Sequence, residues 1–340
     1  MRIRPPWPAW PAILLLLVSA GCQQPPPPKS APAPIAPPKP APAALAERIE
    51  TEIREAWTRD EDPAIFLVPD EDTFARMREL VEKLCQALRQ EDAIKAAVPL
   101  KPSAAALGFV LERMESEGRA VWVLKEGAER RGRGIYVFLE HPGEQAIVLQ
   151  APHQRNDLYT ERLAARGFAR GYAAAVFGST INRNHCPAEE KGGIPCSDVA
   201  NAPRSFFQAA TEGAAQAFKQ SAFVQLHGFE SMRDEDRGEY QVILSTGDER
   251  WTGALNSMVV RLREALGEKA IGRYGLDVQV LGATRNAQGR YLREHADDAF
   301  VHIEMTLSLR KALLEDNALF ERMLRAVAGI PQPEAAAAQP

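Results

Sequence analysis

The chain has 340 residues, enough for one large domain or two ordinary ones. Apolar residues make up 45% and charged residues 25%, as in an ordinary soluble globular protein. The net charge of −4 gives no broad basic field, and no stretch interleaves basic with aromatic residues, so nucleic acid is excluded as a favoured partner.

Arg2 and Arg4 precede a short apolar run, Ala12 to Val18, far below the roughly 20 residues that span a bilayer. Ser19-Ala-Gly-Cys22 follows. Residues 1–21 resemble a bacterial lipoprotein signal, which implies cleavage before Cys22 and a lipid anchor on that cysteine. Ser19 stands where such signals usually carry leucine, and prolines occupy positions 5, 6, 8 and 11; an ordinary secretory signal with a chance cysteine is the alternative. On the same resemblance, Gln23 implies the outer membrane, facing the periplasm. Residues 22–43, mostly proline and alanine, cannot bury a core and read as an extended tether.

Residues 44–118 read as a helical region. Leu45, Ile49, Ile53 and Trp57 recur at four-residue steps and predict a helix over 44–60. A second helix follows Asp70, with Phe74, Met77, Leu80, Leu84 and Leu88 on one face, and Leu107 to Met114 reads as part of a third. These helices either pack on the main sheet or cap it. From residue 119 to 330 strands alternate with helices. Strands are predicted at 120–124, 134–139, 145–150, 172–177, 222–227, 240–245, 276–281 and 299–305, the first three as neighbours. Helices are predicted at 158–170, 204–219, 253–266 and 308–327. That alternation points to an α/β fold, a three-layer sandwich with a mostly parallel or mixed central sheet. Residues 331–340 read as a disordered tail.

The chemistry gathers at strand ends. Ala146 to Ala151 is an apolar run leading into His153, Asp157 and Glu161. Ala222 to His227 ends in a second histidine, and Ala299 to Glu304 ends in a glutamate. Ligands bind outside the carboxyl ends of strands in open α/β sheets. A catalytic zinc site needs about three protein ligands and an open position. His153 and His227 supply two, and Asp157 or Glu161, one helical turn apart, the third. Glu304 is the general base, because a glutamate in an apolar strand is costly without such a partner; an edge strand with His302 and Glu304 in solvent is the alternative. Arg183 follows a strand and is placed to polarise a carbonyl or clamp a carboxylate, and Arg285, Asn286 and Arg310 are further substrate-binding candidates. Cys186 and Cys196 flank a Gly/Pro loop and are placed to close a disulfide, while Cys85 reads as a buried helix residue. His185 and Asp198 lie on that loop, read as a lid; His141, His295 and His302 read as ordinary.

This order, His153, Glu161, Val224-Gln-Leu-His227 and Glu304, resembles the zinc amidohydrolase and carboxypeptidase superfamily over roughly residues 145–325. Its members include N-acetylmuramoyl-L-alanine amidases, N-formylglutamate amidohydrolases and polyglutamate hydrolases. The gap from His153 to Glu161 is shorter than in muramoyl amidases, and Asn156 stands where carboxypeptidases have the glutamate of His-x-x-Glu. The resemblance implies Zn2+ and hydrolysis of an amide or peptide bond. With an envelope location it suggests a peptide or peptidoglycan-type substrate. The alternative is a metal-free envelope lipoprotein that binds a peptide or glycan.

Overall fold

The computed structural model describes residues 43–58, 65–116, 118–143, 147–186, 193–218, 221–230, 240–296 and 299–329. Residues 1–42, with Cys22 and the expected signal and tether, and residues 330–340 lie outside them. Among the described residues no helix is long and apolar enough to cross a membrane.

Among the described residues nine strands form one mixed sheet: β1 (Phe109–Ser116), β2 (Arg119–Glu126), β3 (Ile135–Leu139), β4 (Ile147–Ala151), β5 (Ala175–Gly178), β6 (Ala222–Phe229), β7 (Val242–Ser245), β8 (Ile271–Arg273) and β9 (Phe300–Thr306). Their spatial order is β1-β2-β3-β5-β4-β6-β9-β7-β8. The central strands β5, β4, β6 and β9 run parallel, while β3 meets β5 and β7 meets β9 antiparallel. Because side chains alternate across a strand, Val148, Phe223 and Phe300 enter one core and Leu149, Val224 and Val301 the other.

Helices cover both faces. On the Leu149 side lie α1 (Ala43–Glu55), α5 (Thr160–Ala169), α7 (Gly253–Leu266), α9 (Leu307–Glu315) and α10 (Asn317–Ala328). On the Phe223 side lie α2 (Glu71–Ala87), α6 (Phe206–Ala217) and α8 (Ala287–His295), and the short α3 (Ala93–Ala97) and α4 (Lys101–Ala106) contribute to the same core. The result is a three-layer α/β sandwich. The N-terminal helices belong to its outer layers: α1 packs on α5, and α2 on α6. Asp70 caps α2 by accepting from the Thr73 amide at 2.8 Å, and Met77, Leu80, Val81 and Leu84 form its buried stripe. Gly213 lets α6 approach closely, since a Cβ there would stand 2.2 Å from the Arg78 carbonyl oxygen of α2.

Several elements differ from the sequence reading. Residues 109–116 form strand β1, with Phe109 and Leu111 inward and Val110 and Glu112 outward. The strand at 145–150 does not pair with β3; β5 lies between them, because β4 joins the parallel set. Residues 276–281 are not a strand. The backbone turns back there as Asp277 accepts from the Arg273 amide at 3.0 Å and pairs with its guanidinium. The helix expected over 308–327 is two, broken where Asp316 turns its carboxylate onto the amides of Ala318 and Leu319.

Candidate metal centre

The three parallel strands β4, β6 and β9 bring their carboxyl ends to one rim of the sheet. His227 on β6 is the register partner of Glu304 on β9, and Gln225 of His302. Period two then places all four on one face, next to Gln150 of β4. Strand β9 is interior, between β6 and β7, so His302 and Glu304 are buried at 3% and 8% exposure rather than turned to solvent. His153 lies just past β4, where the amides of Asn156 and Asp157 both bond back to its carbonyl at 2.8 and 2.7 Å. That tight turn carries the Asp157 carboxylate to the histidines.

Asp157 Oδ2 lies 2.9 Å from His227 Nδ1 and 3.5 Å from His153 Nδ1. One donor atom from each of these three residues lies within 4.8 Å of the others. The outer ring nitrogens are held elsewhere: His153 Nε2 by Asp198 Oδ1 at 2.8 Å, and His227 Nε2 by Gln225 Oε1 at 2.8 Å. Metal-ligating histidines are commonly oriented in this way through the nitrogen that does not bind. Burial opposes charge on His153, but bonds to Asp157 and Asp198 outweigh it and hold its pKa above the ordinary value. Burial dominates at His227, which lies below its ordinary value although Asp157 partly offsets it. Burial also disfavours charge on Asp157 and Asp198, yet the histidines keep both carboxyls far below the usual range.

Glu304 closes the site. Its Oε2 is buried and makes no hydrogen bond. Burial, with the charge of Asp157 nearby, holds its pKa well above the ordinary carboxylate value. A buried carboxylate oxygen without a partner is costly, and this one sits on a side chain grouped with the His227 and His302 rings. The donor set, two imidazole nitrogens and a carboxylate, suits zinc. His302 packs against His227 with ring centroids 4.6 Å apart, and its Nε2 lies 3.5 Å from Glu304 Oε1. With His227 and Glu304 it forms a second group of donors within 4.8 Å of one another.

The other predicted residues divide. Arg183 Nη2 donates to Asp198 Oδ2 at 2.7 Å, and Nη1 lies 3.3 Å from His153 Nδ1, with the side chain 32% exposed at the edge of the site. Asp198, read as part of a lid, instead anchors both His153 and Arg183. The disulfide between Cys186 and Cys196 ties the loop between them. Glu161 does not join the ligand group. On the first turn of α5, it lines a cleft of about 580 Å3 with Trp57, Gln154 and Arg155. Burial and the charge of Glu50 raise its pKa to about 7. Asn286 is not an open binding group, because it caps α8 and donates to Gln225. Arg310 is 0% exposed and donates to the carbonyls of Leu158 and Thr306, bracing the Asp157 loop. Arg285 is exposed just before α8. The sequence reading missed His302, Asp198 and Gln225 as site residues. The available signal was polarity at matching depth: Gln150, Gln225 and His302 each interrupt an otherwise apolar strand.

No protein-family model matches the chain, and no curated protein matches it. Solved structures do. A candidate carboxypeptidase A from Shewanella denitrificans is 14% identical, with 69% of this chain and 68% of that chain covered and a TM-score of 0.38. The succinylglutamate desuccinylase from Chromobacterium violaceum is 11% identical, with 69% and 74% covered and a TM-score of 0.36. LapA from Legionella pneumophila is 11% identical, with 84% and 74% covered and a TM-score of 0.34. At such scores the chemistry is carried by the side chains of the site and not by the likeness.

Proposed function

We propose that the chain is a zinc-dependent hydrolase of an amide or peptide bond, anchored in the bacterial envelope through Cys22 and acting on peptidoglycan or a related peptide. One observation carries the chemical part: two imidazole Nδ1 atoms face a single carboxylate oxygen, near a buried glutamate, Glu304, whose Oε2 has no hydrogen-bond partner. His153, Asp157 and His227 are the residues that would hold the ion. When bound, zinc supplies Lewis acidity and a water whose pKa is near 7.

The protein's own groups do the rest. Glu304 takes a proton at Oε2 from the attacking water and returns it to the leaving amine. Asp198 keeps His153 oriented and fixes the Arg183 guanidinium. Arg183, 32% exposed at the edge of the site, would donate to a substrate carbonyl or carboxylate. The lipid anchor and the peptidoglycan substrate rest on the Ser19-Ala-Gly-Cys22 pattern and the proline-rich tether.

The test is product analysis by mass spectrometry after incubating zinc-loaded protein with sacculi and muropeptides. The expected result is a new free amine and carboxyl pair at one amide linkage. Absence of cleavage in sacculi, muropeptides and a panel of acyl amino acids would contradict the hydrolase reading. Labelling with palmitate, lost in Cys22→Ala, tests the anchor separately.

A further inference from the structure

We propose that a chain of buried amides headed by Gln225 fixes the tautomer of His227, and so aims its Nδ1 lone pair at the metal position. Gln225 is thus a positioning residue for the metal centre, and the inference rests on the zinc reading above.

The polarity of the chain is set by backbone groups, which cannot reverse. Gln288 Nε2 donates to the Val199 carbonyl at 3.0 Å and to Gln208 Oε1 at 2.8 Å. Its Oε1 is therefore the atom that accepts from Gln225 Nε2, at 3.2 Å. Gln150 Nε2 donates to Thr211 Oγ1 at 2.8 Å, and that hydroxyl gives its own proton to the Phe207 carbonyl at 2.9 Å. Gln150 Oε1 then also accepts from Gln225 Nε2, at 3.0 Å. Asn286 Oδ1 accepts from the Gly289 amide at 2.8 Å, which turns Asn286 Nδ2 toward Gln225 Oε1. Three routes, ending on Val199 O, Phe207 O and Gly289 N, assign Gln225 the same way. Its nitrogen faces Gln150 and Gln288, and its oxygen faces Asn286 and His227.

An amide oxygen only accepts, so His227 Nε2 must donate to it. A neutral imidazole has one N–H. Nδ1 is then a bare lone pair 2.9 Å from Asp157 Oδ2. Two acceptors that close repel unless a cation lies between them. Gln150, Gln225, Gln288 and Thr211 are each 0% exposed, so water cannot relax the assignment. Flipping Gln225 alone would set its oxygen against two others. His153 reaches the same tautomer through a carboxylate, Asp198, and His227 through neutral amides. One imidazole is therefore made a stronger donor and the other is oriented without added charge.

The experiment uses the full chain. Long-range 1H–15N NMR of the histidine rings, with and without zinc, reports which nitrogen carries the proton. The expected spectrum places a proton on His227 Nε2 in both states, with Nδ1 bound to zinc in the loaded protein. Chelator competition then compares variants. Gln225→Met is expected to weaken zinc binding about 10- to 100-fold, the usual cost of losing a group that orients a ligand. Gln225→Glu is expected to stay near wild type, because a buried carboxylic acid keeps a carbonyl for His227 and a proton for Gln150 or Gln288. A His227 proton on Nδ1 alone, or a folded Gln225→Met with wild-type zinc affinity, would overturn the proposal. If Gln225→Met does not fold, the wild-type spectrum decides by itself. If wild-type protein binds no zinc, the hydrolase reading fails, and the metal-free spectrum still decides the tautomer.

Discussion

Asp157 is the residue on which the site's electrostatics turn, since one of its oxygens faces the same nitrogen of two histidines. Asp157→Ala, His153→Ala and His227→Ala should each lower zinc affinity by more than about 100-fold, beyond the cost of losing an orienting partner; chelator competition measures it. Glu304→Gln should keep zinc and lose turnover by on the order of 100-fold or more, the usual contribution of a general base; normal turnover would remove Glu304 from the reaction. Glu161 gives a pH-dependent outcome. Its pKa rises from an ordinary 4.5 to about 7 on folding, so the folded chain holds a proton that the unfolded chain has released. Its stabilising contribution is complete below pH 4.5 and is lost as pH rises through 7. Glu161→Gln should therefore flatten the fall in stability across that window, on the order of 2 kcal/mol by denaturant melts. An unchanged pH profile would show that Glu161 titrates normally.

At the scale of elements, β4, β6 and β9 were legible because parallel strands buried on both faces read as continuous apolar runs. Their histidines and Glu304 stood out for the same reason. The strand β1 was not legible, because Leu107, Leu111 and Met114 also fit a helical stripe, and pairing with β2 decides between the two periods. Helix α8 was missed because its buried face is Ala287, Gln288, Gly289 and Leu292, nearly without apolar bulk. Gln225 and His302 were visible as letters but not as partners, since their meaning depends on which strands become neighbours. The contact between α2 and α6 is testable in the same spirit. Gly213→Ala would drive a methyl group into the Arg78 backbone and should cost about 1–3 kcal/mol, as overpacking does. A melting temperature equal to wild type would mean that the two helices separate without penalty.

For the whole molecule, sheet order is what joins a histidine after β4, one on β6 and a glutamate on β9, residues separated by half the chain. The two cores lie on either side of the sheet that carries this rim, α1 adding to one and α2 to the other. A bound ion should stabilise this arrangement in turn, because a ligand of the folded state alone shifts the unfolding equilibrium by mass action. The most direct measurement is metal content by plasma mass spectrometry on purified protein, before and after dialysis against zinc. The expected result is about one zinc per chain, retained in Glu304→Gln and lost in His227→Ala, since a catalytic site takes about three protein ligands. Zinc absent from the wild type after loading, or held equally well by His227→Ala, would contradict the account.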